Sequence, residues 1–176
     1  MRTVIWVVEG TWQGCVDAAA QNLPPGTRVA LLHVTPSDAS EVAEAAAVGL
    51  FGRAWGGRKP AAQFQDIAAE AASQLLAAAE SRLGRQDVEL IRRRGRVERE
   101  VVRAVAEDVD LLVAARDGDH SRLGPRSLGP VTRFVVDHAP CAVLLVWPDK
   151  PPGIESLPPP PHRDHPPPDR PVPRGG

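Results

Sequence analysis

The stretch ARDGDHSRLGPRSLGPVTR, Ala115–Arg133, follows the apolar run Val109-Asp110-Leu111-Leu112-Val113-Ala114 and runs into residues with helical spacing. Its three glycines and two prolines break the chain between those two elements. Glycine lets the backbone approach a ligand closely, and the N–H groups at a helix start favour an anion. A strand, a glycine loop and a helix in this order therefore read either as a phosphate cradle or as a long connection. The elements on either side decide what kind of fold carries the loop.

Thr3–Val8 is continuous, apolar and rich in β-branched residues, as in a strand buried on both faces. Thr11–Asn22 has helical character and ends at Pro24-Pro25-Gly26. Arg28–Val34 reads as a second strand, Ser40–Leu50 as a short helix and Phe51–Pro60 as a loop. Ala61–Leu83 reads as a long helix, with Phe64, Ile67, Ala68, Ala71, Leu75, Ala79 and Leu83 as its apolar stripe and Gly84 as its stop. Asp87–Arg93 is a third strand with Val88, Leu90 and Ile91 as its apolar part. A helix over Val97–Glu107, a strand over Asp110–Ala114, a short helix carrying Val131, Phe134, Val135 and His138, and a strand over Cys141–Trp147 complete the pattern.

Strands alternating with helices predict an α/β fold of three layers, a doubly wound, Rossmann-like sheet of five mostly parallel strands. Ligands of such folds bind beyond the carboxyl ends of the strands, where strand order reverses. Two loops are therefore candidates: Glu9-Gly10-Thr11 after the first strand, and Ala115–Pro130 after the fourth.

Composition excludes several classes. The formal net charge of −1 offers no footprint for a nucleic acid. Two cysteines, Cys15 and Cys141, form no disulfide framework and are too few for a zinc site; both are expected to be buried reduced thiols. No apolar run approaches the ~20 residues of a membrane span. MRTVIWVVEG reads as a strand, not a leader peptide, so the expected location is cytoplasmic. From Pro148 onward proline dominates, and the division expected is a folded domain over 1–148 and a disordered tail over 149–176. Pro168-Asp169-Arg170-Pro171 fits PxxP and could engage a protein partner, while His162 and His165 are expected to be solvated.

The loops also discriminate among nucleotide folds. No GxGxxG follows the first strand, no GK(S/T) follows any strand, and there is no GxSxG elbow. Asp117, Asp119 and His120 lie close together but are expected to face solvent, and no metal site is expected.

From Val97 to Val146 the chain resembles the universal stress protein family. Asp108–Gly118, DVDLLVAARDG, is similar to that family's DLIVVGSRG, and Leu128–Val146, LGPVTRFVVDHAPCAVLLV, to its LGSVSxxVLxHAPCPVLVV ending. His138-Ala139-Pro140-Cys141 is the most specific piece. At the front, Val7-Val8-Glu9-Gly10-Thr11 is similar to the family's VDGS turn, and Leu31-Leu32-His33-Val34 to its LHV strand. The resemblance implies the adenine nucleotide α-hydrolase-like variant of the fold.

Family members that bind ATP carry G-x2-G-x9-G-(S/T). Carried over, Ala115 stands at the first glycine, Gly118 at the second, and Gly129 at the third, after ten intervening residues instead of nine. Pro130 replaces the Ser or Thr, and Glu9 the usual Asp. Proline is a sound first helical residue but lacks both an N–H and a hydroxyl. The resemblance so implies a stress-response protein without enzymatic activity, whose ATP binding is weakened or lost. The alternative it implies is ATP or ADP with magnesium, held in altered geometry and slowly hydrolysed. The ligand-binding residues implied are Glu9, Gly10, Val34, Ala115, Arg116, Gly118, Gly129, Pro130, Val131 and Thr132. Arg116, Arg122, Arg126 and Arg133 are read either as compensating phosphate ligands or as a solvated basic surface. A third reading, an enzyme of the related α/β nucleotide hydrolases, finds no nucleophile–base pair, because His33 and His138 both sit in apolar patterns. The family often dimerises through its last strand, here Ala142, Val143, Leu144, Leu145 and Val146, which implies a homodimer.

Overall fold

A computed structural model describes residues 1–37 and 60–157, with the side chains of 1–37 and 65–157. The expected short helix over 40–50, the loop over 51–59 and the histidines and PxxP motif of the tail lie outside the described residues.

Five parallel strands form one sheet in the order β3-β2-β1-β4-β5. They are β1 (Arg2–Trp6), β2 (Arg28–Pro36), β3 (Glu89–Gly95), β4 (Leu111–Ala115) and β5 (Ala142–Val146). The helices are α1 (Trp12–Asn22), α2 (Pro60–Leu83), α3 (Val97–Ala104) and α4 (Pro130–His138). The expected α/β architecture is the one observed. β1 pairs with β2 from Arg2↔Arg28 to Trp6↔Leu32, and with β4 from Thr3↔Leu111 to Ile5↔Val113.

Alternation along the strands divides the core. Ile5, Val7, Leu31 and Val113 pack against Cys15, Val16 and Ala19 of α1 and Leu76 and Ala79 of α2. Val4, Trp6, Leu32, Leu112 and Ala114 pack against Val101 of α3 and Val135 of α4 on the other face. Each fully buried side chain of this size contributes about 1.5–3 kcal/mol, so the central strands carry most of the stabilisation. On the first face, Arg82 Nε and Nη2 also donate to the two carboxylate oxygens of Asp17 at 2.7 and 2.8 Å, tying α2 to α1.

Three expectations about burial are corrected. Leu90 is exposed, because β3 is an edge strand and one of its faces is left uncovered. Cys141 is only partly buried, because it leads into the opposite edge strand, β5. Ile67 is also exposed, at 59%, and Ala71 with it; the buried stripe of α2 is Ala72, Leu76, Ala79 and Leu83. Alanines at 68, 69, 71, 72, 77, 78 and 79 blur the apolar contrast, so the sequence alone does not fix the phase of this helix.

After β5 the chain stays close to the domain. Ile154–Ser156 makes one 3-10 turn, and the Leu123 N–H donates to Ser156 Oγ at 3.0 Å. Gly14 of α1 admits the Pro148 backbone: a Cβ there would lie 2.9 Å from Pro148 Cα.

Candidate functional site

Strand order reverses between β1 and β4, and a crevice opens where loops leave those two strands in opposite directions. A cavity of about 420 Å³ lies there. The end of β1 supplies Trp6, Val8 and Glu9, and the end of β2 supplies His33, Val34 and Thr35. Ala72 of α2 and Val97 of α3 close the sides, while Ala115, Asp117, Val131 and Thr132 form the wall after β4.

The turn after β1 is tight. Thr11 N and Trp12 N both donate to Val8 O, at 3.2 and 3.0 Å, and Gly10 takes φ +79°, a conformation that favours glycine. This turn launches α1 and leaves the exposed Glu9 at the cavity rim. His33 Nδ1 lies 2.9 Å from Val7 O. A carbonyl only accepts, so Nδ1 carries the proton and, in the neutral ring, Nε2 is the acceptor.

The loop from Arg116 to Gly129 folds on itself. Gly118 N donates to Ser127 O at 3.0 Å, and Asp119 N to Arg126 O at 2.8 Å. A side chain at Gly118 would collide with the Arg126 carbonyl, which is the reason for glycine here. Its N–H is used within the loop and not directed at a ligand. Asp119 accepts from the Ser121 hydroxyl and N–H and from Arg122 Nε, and these bonds hold its carboxyl at a pKa of about 2.

Asp117 closes the helix start. The Gly129 N–H, at the N-cap of α4, donates to Asp117 Oδ1 at 2.7 Å. Pro130, the first residue of α4, has no N–H. Of the donors at this helix terminus, one is thus taken by an internal carboxylate and one is absent. The N–H groups of Val131 and Thr132 have no intrahelical partner, and both residues line the cavity.

The arginines of the loop are largely engaged with the loop. The Arg116 guanidinium donates to Ser127 Oγ and its carbon stands 4.9 Å from the Trp147 ring centre. Arg122 pairs with Asp119 at 3.0 Å, and Arg133 Nη2 donates to Pro125 O and Leu128 O. None of these, nor the exposed Arg126, lines the cavity.

Of the expected ligand residues, Glu9, Val34, Ala115, Val131 and Thr132 are brought together in the cavity wall, and Gly10, Arg116, Gly118, Gly129 and Pro130 are not part of it. Pro130 lines a separate hollow beside Arg96 and Phe134. Asp117, Asp119 and His120 were expected to face solvent: Asp117 does, Asp119 and His120 are half-buried, and all three also have partners, with His120 Nε2 2.8 Å from Arg116 O and its ring edge-on to Trp147 at 6.0 Å. Asp117, His33 and Trp6 are site residues that the sequence reading missed. His33 precedes Val34 in a strand, so its place at the strand's carboxyl end was the available clue.

Among the described residues no group of three or more His, Cys, Asp or Glu is arranged to hold a metal ion, and no helix is long and apolar enough to cross a membrane. No curated protein matches the sequence. The family model for the universal stress protein family matches residues 15–146. Among solved structures, the hypothetical protein MJ0577 is similar at 18% identity and TM-score 0.63, over 83% of this chain and 94% of that one. Universal stress protein UspA from Lactobacillus plantarum is similar at 17% identity and TM-score 0.57, over 83% and 97%. A universal stress protein solved in complex with cAMP is similar at 17% identity and TM-score 0.56, over 85% and 98%. At these identities the structural likeness is one of fold, but the family match covers more than half of the chain. Sequence and fold agree, and the chain belongs to the universal stress protein family.

Proposed function

We propose that this protein is a non-enzymatic, cytoplasmic stress-response regulator whose ATP binding is weakened or lost. The observation that carries the reading is the bond from Gly129 N–H to Asp117. A phosphate approaching the start of α4 would have to displace a carboxylate of its own sign. It would also find no N–H at Pro130 and would meet a Gly118 N–H already bonded to Ser127 O. Hydrogen bonds to charged groups contribute about 1.5–3 kcal/mol each, so losing two weakens binding a hundredfold or more. The family's nucleotide therefore fits these residues poorly.

A second reading keeps adenine-nucleotide binding in altered geometry. Val131 and Thr132 favour it, because both residues line the cavity and no intrahelical acceptor takes their N–H groups, and one structural relative is solved with cAMP. Calorimetric titration with ATP and ADP, with and without magnesium, separates the two. No heat at micromolar to millimolar nucleotide supports the first reading, and micromolar affinity rejects it.

The same regulator is proposed to act as a homodimer. β5 is the free edge opposite β3, and Val143, Leu144, Leu145 and Val146 are only half-buried. An apolar edge of this kind pairs readily with a second copy. Light scattering at micromolar concentration should give twice the chain mass; a monomer would reject the pairing.

A further inference from the structure

We infer that residues 147–157 form a latch that holds the loop after β4 in its self-bonded form and so opposes phosphate binding. The inference rests on the reading above, in which that form of the loop weakens ATP binding.

The family match ends at Val146, and the latch begins at the next residue. It is fastened at Trp147, Pro148 and Ser156. Trp147 lies under the Arg116 guanidinium at 4.9 Å and meets His120 edge-on, near the start of the loop. The Pro148 backbone rests on Gly14 of α1, where a Cβ would stand 2.9 Å from Pro148 Cα and 3.0 Å from its carbonyl oxygen. Ser156 reaches the middle of the loop. Its hydroxyl donates to Gly153 O at 2.6 Å and accepts from the Leu123 N–H at 3.0 Å. One side chain thus joins the 3-10 turn of the latch to the loop. Pro148, Pro151 and Pro152 restrict the backbone between these anchors, so the released latch gains little conformational freedom.

What the latch holds is the arrangement that competes with a phosphate. Leu123 lies between two arms of the loop, which are joined by the bonds from Gly118 N to Ser127 O and from Asp119 N to Arg126 O. Arg116, at the foot of the first arm, donates to Ser127 Oγ on the second. While the arms stay joined, the Gly118 N–H is occupied and Asp117 keeps the Gly129 N–H. A phosphate needs those donors released, so its apparent affinity scales with the fraction of molecules whose loop is open. Each latch contact lowers that fraction, and one neutral hydrogen bond changes it about two- to tenfold.

Substitutions in the full chain undo the latch at separate anchors. Ser156→Ala removes the acceptor from the Leu123 N–H. Gly14→Ala forces Pro148 away from α1 while favouring the helix itself. Each should speed amide exchange at Gly118, Asp119 and Leu123, read by NMR, and tighten ATP binding about two- to tenfold in calorimetry. Ser156→Thr keeps the hydroxyl and should match the unaltered protein in both readouts. Exchange unmoved by both Ser156→Ala and Gly14→Ala overturns the latch. Faster exchange with unchanged ATP affinity, or no heat from any variant at millimolar ATP, overturns its inhibitory role. The two failures are distinct: micromolar ATP binding by the unaltered protein rejects the weakened site, whereas equal affinity in variant and unaltered protein rejects the latch.

Discussion

Asp117 Oδ1 accepts from the Gly129 N–H at 2.7 Å across twelve positions of the chain, so the loop after β4 supplies its own anion to the helix that begins at Pro130. This contact stands in for a side-chain N-cap, which Gly129 cannot provide. It stabilises the start of α4 and occupies the position where an external phosphate would gain most.

Removing that carboxylate and restoring the missing donors should reopen the cradle. In an Asp117→Gly, Pro130→Ser double variant, Gly129 N–H is freed and position 130 regains an N–H and a hydroxyl. ATP affinity measured by calorimetry should rise at least about tenfold over the unaltered protein, with a loss of roughly 0.5–2 kcal/mol in stability from the lost cap. Unchanged affinity would mean that Asp117 and Pro130 are not what limits nucleotide binding.

The loop should also depend on the residue that follows β5. Trp147 meets Arg116 face-on at 4.9 Å and His120 edge-on at 6.0 Å. A desolvated cation–π contact is worth up to about 2 kcal/mol, and an aromatic pair about 0.5–1.5 kcal/mol beyond buried area. Trp147→Ala should therefore lower unfolding stability by about 1–3 kcal/mol and raise amide exchange across residues 116–129 while leaving β1 and β2 protected. Arg116→Lys should reproduce part of the effect, because lysine lacks the planar fork that both stacks on Trp147 and reaches Ser127. Uniform exchange over the whole domain would argue against a local clamp.

These contacts explain where the sequence could be read and where it could not. Val4–Val8, Val29–Leu32 and Leu111–Ala115 are apolar runs, so their strands and the doubly wound sheet follow from pattern alone. The strand switch point follows from the same pattern, and with it the two loops that border the cavity. Burial at Leu90 depended on strand order, since an edge strand and a central one share the same composition. The phase of α2 was hidden by alanine. Asp117 was illegible for a different reason: its partner is a backbone N–H, and only the folding back of Gly118 and Asp119 onto Arg126 and Ser127 brings the two together. Likewise, the arginines could be counted in the sequence, but whether they faced a ligand or the loop depended on Trp147 and the carbonyls of the turn.

Thr3 offers a test of the core. It is fully buried in β1, and its Oγ1 has no hydrogen-bond partner among the described residues. A buried hydroxyl without a partner costs about 1–3 kcal/mol, and valine has nearly the same shape without that group. Thr3→Val should raise the midpoint of chemical denaturation, by about 1 kcal/mol in stability, with an unchanged m-value. A lower midpoint would mean that the hydroxyl has a donor or acceptor role that these contacts do not include.

Cys15 gives the clearest dependence on pH. Burial against the β1 face pushes its thiol from the ordinary 9.0 to about 12, while Cys141, only half-buried, is raised mainly by partial burial. A raised acid pKa means that the folded state keeps a proton which the unfolded chain releases. The contribution is therefore fully present below pH 9 and is lost as pH rises toward 12. A shift from 9.0 to about 12 corresponds to an upper bound of about 4 kcal/mol. Stability should fall across this alkaline window, and a Cys15→Ala variant, less stable at neutral pH through its cavity, should lose that part of the slope. At about pH 8 a thiol reagent should modify Cys141 first and reach Cys15 only at the rate of unfolding. Rapid modification of Cys15 in the folded protein would show that α1 opens locally over β1, and that the thiol is not held in the dry core that raises its pKa.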